Sequence, residues 1–206
     1  SNSTRGITYG GEVSPAAVNT IQYVTMASIG NATDFGDLTL IRYTPNATGN
    51  STRGICAGGY ATAPTNSVVN IIDYITIGST GNATDFGDLT GTRDALGACS
   101  NASRGVFAGG TPGPVNNIEY ITIGTAGNAT DFGDRTEAKS GLAGTSGGGR
   151  GVFGGGSVSN VIDYITITSP GNATDFGDLT VARPYLTATS NGSRGIFTGG
   201  MPITDV

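Results

Sequence analysis

The chain has 206 residues, with 36 Gly, no His, no Trp, and 10 Lys or Arg against 15 Asp or Glu, for a net charge of −5. Without His, neither a Ser-His-Asp nor a Cys-His nucleophile can be assembled; a His-containing zinc site is equally excluded, and two Cys are too few for an all-Cys one. The acidic balance offers no basic patch for nucleic acid, and no apolar run approaches the ~18 residues of a membrane-spanning helix.

Gly is about one residue in six, where roughly 7% is ordinary, yet it recurs at fixed places between β-branched runs. Three blocks repeat in a fixed order. Arg-Gly-x-x-x-Gly-Gly starts at Arg5, Arg53, Arg104, Arg150 and Arg194. A stretch idealised as Asn-Ile-Asp-Tyr-Ile-Thr-Ile holds Tyr23, Tyr74, Tyr120 and Tyr164. Gly-Asn-Ala-Thr-Asp-Phe-Gly-Asp starts unchanged at Gly30, Gly81, Gly127 and Gly171, at spacings of 51, 46 and 44. One domain, 1–206, thus divides into repeats over about 1–49, 50–99, 100–146 and 147–190, with a partial fifth over 191–206.

In the first repeat the Arg5 block predicts a short strand ended by Gly10-Gly11, then a variable insertion, Glu12 to Val18, then the Tyr23 strand. In the second, Ile71 to Ile77 is β-branched and aromatic, as strands are. One of its faces carries Ile72, Tyr74 and Thr76, the other Asp73, Ile75 and Ile77. Apolar groups on both faces predict a strand covered on both sides. In the third, Arg104 to Ala108 predicts a strand ended by Gly109-Gly110. In the fourth, an apolar stretch from Leu179 to Thr189 precedes the Arg194 block, and its Pro184 suits a strand start or edge. Further insertions follow the diglycines at Tyr60 to Val69, Thr111 to Val115 and Ser157 to Ser159, where variable loops hold binding sites. No segment has sustained helical periodicity, and the Gly density opposes helices.

Each unit therefore predicts three or four short strands that bury both faces only by stacking on neighbours. The closed form of that stack is a β-propeller. Five Arg-Gly strands against four Tyr strands favour a section of a larger propeller or array; the rival is a four-bladed ring whose ends overlap. A start at Ser1, without Met or a signal-peptide pattern, reads as a processed product or a segment of something longer.

Nine of the ten cations occupy two repeat positions: the five Arg of the Arg-Gly blocks, and Arg42, Arg93, Lys139 and Arg183. Eight anions form the loop pairs Asp34 and Asp37, Asp85 and Asp88, Asp131 and Asp134, Asp175 and Asp178. Three more, Asp73, Glu119 and Asp163, precede the Tyr, where the first unit has Gln22. A charge used once per repeat is a framework element before it is a catalyst. The expectation is that each loop Asp pairs, partly buried, with a repeat Arg, as Asp88 with Arg93.

The loop oxygens are hard-cation ligands, so calcium at the eight loop Asp is one reading. The favoured one is an Asx-type turn with Asp and Asn capping backbone N–H groups and Phe plugging between units. Paired carboxylates for glycoside hydrolysis would have to exist four times over, and the Asp-Phe-Gly match to a kinase signature lacks the rest of that set. Cys56 and Cys99 read as small buried side chains rather than a disulfide framework.

The pattern resembles kelch repeats. The basic position matches Arg42, Arg93, Lys139 and Arg183, and the Tyr matches Tyr23, Tyr74, Tyr120 and Tyr164. The diglycine recurs from Gly10-Gly11 to Gly199-Gly200, and Phe35, Phe86, Phe132 and Phe176 stand where a kelch unit usually has Trp. The Tyr-to-Phe gap is longer than in most kelch units. Tandem units with this octapeptide are similar to those of large virion proteins of marine, T4-like bacteriophages. That resemblance implies a non-enzymatic structural or adhesive module of a virion tail or fibre, without cofactor, contacting other virion proteins, copies of itself or host-surface glycans. The alternative is a secreted carbohydrate- or calcium-binding module. A relative of galactose oxidase would need copper-ligand His, which the chain lacks.

Overall fold

Each sequence block becomes one strand of an antiparallel meander in the computed structural model, which describes residues 1–13, 16–62 and 66–201. The strands are β1 (Arg5–Val13), β2 (Ala16–Thr25), β3 (Thr33–Asp37), β4 (Arg42–Tyr43), β5 (Asn46–Gly49), β6 (Arg53–Ala57), β7 (Tyr60–Ala61), β8 (Ser67–Val68), β9 (Ile71–Thr76) and β10 (Thr84–Asp88). They continue as β11 (Gly97–Ser100), β12 (Arg104–Ala108), β13 (Asn117–Thr122), β14 (Thr130–Asp134), β15 (Ala143–Gly147), β16 (Arg150–Gly154), β17 (Val161–Thr166), β18 (Thr174–Asp178), β19 (Leu186–Ser190) and β20 (Gly195–Gly199).

Three sheets have four strands in chain order: sheet II (β5-β6-β9-β10), sheet III (β11-β12-β13-β14) and sheet IV (β15-β16-β17-β18). Among the described residues, sheet I has three strands (β1-β2-β3), beginning at its Arg-Gly block, and sheet V has two (β19-β20). A small sheet, β4-β7-β8, pairs Arg42–Tyr43 with two short strands of the insertion that follows the second diglycine. Pro184 precedes β19, as a residue without a ladder donor must.

The last five residues of the octapeptide, Thr84–Asp88 in sheet II, form a strand where their Asp and Gly content predicts a loop, while its Gly-Asn-Ala part stays a turn. Asp85 pairs with Asp73 and Gly87 with Ile72, leaving Phe86 as the extra residue of a β-bulge. Gly87 takes φ of 139° there, a conformation glycine alone adopts at no steric cost. The bulge recurs in sheets I, III and IV.

Stacking completes the core. Ile55, Ile72 and Phe86 on one face of sheet II meet Phe107, Ile121 and Ile123 of sheet III, all buried. Val106, Ile118 and Phe132 of sheet III meet Phe153, Ile165 and Ile167 of sheet IV in the same way. The Tyr strands of sheets II and III are thus covered on both faces, as their sequence predicts, whereas Gln22 and Val24 of sheet I are exposed. The first strands of sheets II to V, with β1, converge on one shared cleft of about 360 Å³. Among the described residues no strand of the last sheet pairs with the first.

Candidate functional site

The repeated residues meet at the joints between successive sheets, and each joint is built from the same parts. Arg5, Arg53, Arg104 and Arg150 lie over the rings of Tyr23, Tyr74, Tyr120 and Tyr164 at 4.4–4.6 Å. A guanidinium over a ring gains on the order of 0.5–2 kcal/mol as it is desolvated. The Phe ring stands edge-on to the same Tyr, 5.8 Å away for Tyr74 and Phe86. The arginines also cross to the next sheet. Nη1 of Arg5, Arg53 and Arg104 donates to the carbonyls of Ile77, Ile123 and Ile167 at 2.7–3.0 Å. Arg150 keeps its ring but has no such acceptor among the described residues, and Arg194, in a sheet without a Tyr strand, is exposed.

A buried ion pair forms the second part, and it corrects the sequence expectation. The anion is the acid before the Tyr, not a loop Asp. Arg42 Nη2 lies 2.9 Å from Asp73 Oδ2, with both side chains fully buried. Thr39 adds its hydroxyl, 2.6 Å from Asp73 Oδ1, and its backbone N–H. Arg93 faces Glu119 at 3.4 Å, with the Thr90 N–H on the other carboxylate oxygen at 2.6 Å. Burial pushes the Asp73 carboxyl above its ordinary range, and Arg42 and Thr39 pull against it.

The third pair departs from the repeat. Asp163 is held by Arg135, 3.2 Å away, with Thr136 beside it. Arg135 stands where the other units have Leu38, Leu89 and Leu179. Lys139, at the repeat's basic position, instead meets Glu137 at 3.5 Å near the surface. The signal was present in the sequence: acids occupy this position in the three units that follow another unit's cation, while the first unit has Gln22.

The Gly-Asn-Ala turn is the third part. The N–H groups of Gly81 and Ala83 donate to the carbonyls of Phe35 and Asp37 at 2.7 and 2.8 Å, and Asn82 Oδ1 accepts from the Asp37 N–H. Gly127 to Ala129 and Gly171 to Ala173 repeat these bonds on β10 and β14. The Asn side chain therefore caps the preceding sheet rather than its own turn. Local Asx turns occur elsewhere: the Oδ1 atoms of Asn2, Asn50, Asn101 and Asn191 accept N–H bonds from residues two and three ahead, closing the approach to each Arg-Gly strand. The sequence carries this signature as Asn-x-Ser/Thr-Arg, ending at Arg5, Arg53, Arg104 and Arg194.

The loop Asp sit at the outer edge. Asp34, Asp85, Asp131, Asp134, Asp175 and Asp178 are exposed, and Asp37 and Asp88 are half-buried. Among the described residues no loop Asp forms an ion pair, and no three acidic or thiol groups converge as a metal site requires. Cys56 and Cys99 are free and buried, and burial pushes their thiols up to about 11 and about 12.

The trailing face of sheet IV is different from every other joint. Phe176 is 53% exposed, where Phe35, Phe86 and Phe132 are 2–3% exposed. It borders a cleft of about 900 Å³ between sheet IV and sheet V, lined also by Arg150, Val152, Ile162 and Phe197. Compared with known proteins, the chain matches no family model and no curated protein sequence.

Proposed function

We propose that this stack is a kelch-like, propeller-type repeat module with a structural or adhesive role and no catalytic one. Its setting, on the sequence resemblance, is a bacteriophage virion, at the tail or fibre. There it contacts other virion proteins, copies of itself or host-surface glycans. The observation that carries the reading is where the repeated side chains are spent. The Arg, Tyr, Phe and buried acid of each unit face one another across joints, where they set the spacing of sheets. Chemistry held in the framework in this way is mechanical: it fixes a rigid surface of Gly, Thr and Asn for neighbours to pack on.

Quantitative mass spectrometry of purified particles tests this. The reading expects peptides of the chain in stoichiometric amount in the particle fraction. Recovery only in the particle-free supernatant would refute it. The exposed Asp34, Asp85, Asp131 and Asp175, recurring along one outer edge, favour a second reading as a secreted calcium- or carbohydrate-binding module. That reading expects calcium to raise the melting temperature, and Asp85→Asn with Asp131→Asn to abolish the rise.

A further inference from the structure

β3, β10 and β14 are the outermost strands of sheets I, II and III. An outermost strand presents a row of N–H and C=O groups that template pairing with another chain. In these three sheets that row is already taken by the Gly-Asn-Ala turn of the next unit. On β10 the Phe86 carbonyl accepts from the Gly127 N–H and the Asp88 carbonyl from the Ala129 N–H, both at 2.7 Å, and the Asp88 N–H donates to Asn128 Oδ1 at 3.0 Å. β3 receives the same three bonds from Gly81, Asn82 and Ala83, and β14 from Gly171, Asn172 and Ala173.

The order of these bonds is that of a parallel ladder. In such a ladder one residue donates to a carbonyl of its neighbour and accepts from the N–H two positions further on, and the residue two ahead of it donates to the carbonyl there. Gly127 and Ala129 supply the two donors, and Asn128 Oδ1 stands where the Gly127 carbonyl would accept. Two amides and one side chain thus do the bonding of an added strand. The approach is close enough to need glycine on the edge itself: a Cβ at Gly87 would meet the Gly127 carbonyl carbon and oxygen at 2.6 Å and the Asn128 nitrogen at 2.9 Å.

We propose that the Gly-Asn-Ala turn is a strand mimic, an autoinhibitory contact that keeps the outer edge of each preceding sheet from pairing with a second copy of the chain. A second copy is the matching occupant because the edge sequence complements itself. Two Thr84–Asp88 strands run antiparallel about Phe86 set Thr84 opposite Asp88 and Asp85 opposite Gly87, so no carboxylate directly faces another. The main-chain groups that would join the two copies are the Phe86 carbonyl and the Asp88 N–H and carbonyl, the same groups the turn holds. The inference goes beyond the adhesive reading and does not depend on the virion setting.

Sedimentation velocity of the 206-residue chain over a concentration series tests it. β18 is the same in every variant, so the parent gives the baseline for each comparison. Asn128→Ala removes the side-chain acceptor and keeps both backbone bonds. It should raise the self-association constant about fivefold, which is about 1 kcal/mol, the weight of one hydrogen bond. Gly87→Ala drives the whole turn off the edge and should raise the constant further. The Asp88 N–H faces the turn, so Asp88→Pro takes a donor from the outer edge and none from the ladder with β9. Added to either variant, Asp88→Pro should therefore return association to the parent level, although the turn is still displaced. Asn128→Ala carries the test if Gly87→Ala does not fold. Association at the parent level in Asn128→Ala and Gly87→Ala overturns the proposal, because the bared edge then attracts no strand. Equal association with and without Asp88→Pro overturns it too, because loosened packing and not the edge then joins the copies.

Discussion

Gly133→Ala is expected to destabilise the protein far more than Gly177→Ala, although the two glycines occupy the same repeat position. Both take left-handed φ, 140° and 129°, so both substitutions pay backbone strain of about 1–2 kcal/mol. Only Gly133 has a neighbour. A Cβ built there meets the Gly171 carbonyl carbon and oxygen at 2.6 Å and the Asn172 nitrogen at 2.9 Å, all backbone atoms. Relief requires the Gly171 turn to withdraw, which breaks the 2.7 Å bonds from Gly171 to Phe132 and from Ala173 to Asp134, and the 3.0 Å bond to Asn172. At about 1 kcal/mol per bond the joint loses about 3 kcal/mol. A Cβ at Gly177 meets nothing within 4 Å. At roughly 2–4 °C per kcal/mol for a chain this size, melting of the two variants should differ by about 6–12 °C. Circular dichroism melts of both, alongside the parent, decide it. Equal shifts would mean that the turn-on-strand contacts do not hold the sheets together.

The buried pairs make a second prediction with a pH signature. Arg42→Met strands the Asp73 carboxylate in a dry site and should cost about 3–5 kcal/mol at pH 7, and Asp73→Asn, which strands the buried Arg42 guanidinium, should cost a comparable amount. A carboxyl whose folded value is raised above its unfolded one is stabilised by protonation. The Arg42→Met deficit should therefore shrink as pH falls from 7 toward the ordinary Asp value of 3.8, and a deficit constant with pH in urea titrations would contradict this. For the exchanged pair, Arg135→Leu should destabilise by a similar amount, Lys139→Arg alone should change little, and the double variant should recover most of the loss by restoring the Leu-Thr-x-x-Arg arrangement; absence of recovery would show that the two units hold their acids differently. Finally, thiols raised to about 11 and about 12 and fully enclosed should not react with a disulfide reagent at pH 8 until the protein unfolds, and rapid reaction of Cys56 or Cys99 in the native state would contradict their burial.

Local and periodic features were legible in the chain itself. Alternating Ile, Tyr and Thr in Ile71 to Ile77 determine a strand covered on both faces, because a period of two places apolar groups on each. The diglycines end the Arg-Gly strands since Gly58 and Gly59 adopt positive φ, which branched residues resist. The repeat order dictates stacked antiparallel sheets, since no unit can bury two apolar faces alone.

What crosses between units was decided by the tertiary structure. Thr84 to Asp88 of the octapeptide look like part of a turn because turns and bulges draw on the same residues, Gly, Asn and Asp; only the ladder with the Tyr strand makes them a bulged edge strand. Asn82 reads as a cap for its own loop, but its oxygen reaches 45 residues back to Asp37. The acid paired with Arg42 could equally have been Asp37 or Asp88 by proximity in the repeat. Stacking selects Asp73, because only the Tyr strand's far face is pressed dry against the previous sheet, and a buried guanidinium requires its counter-ion there.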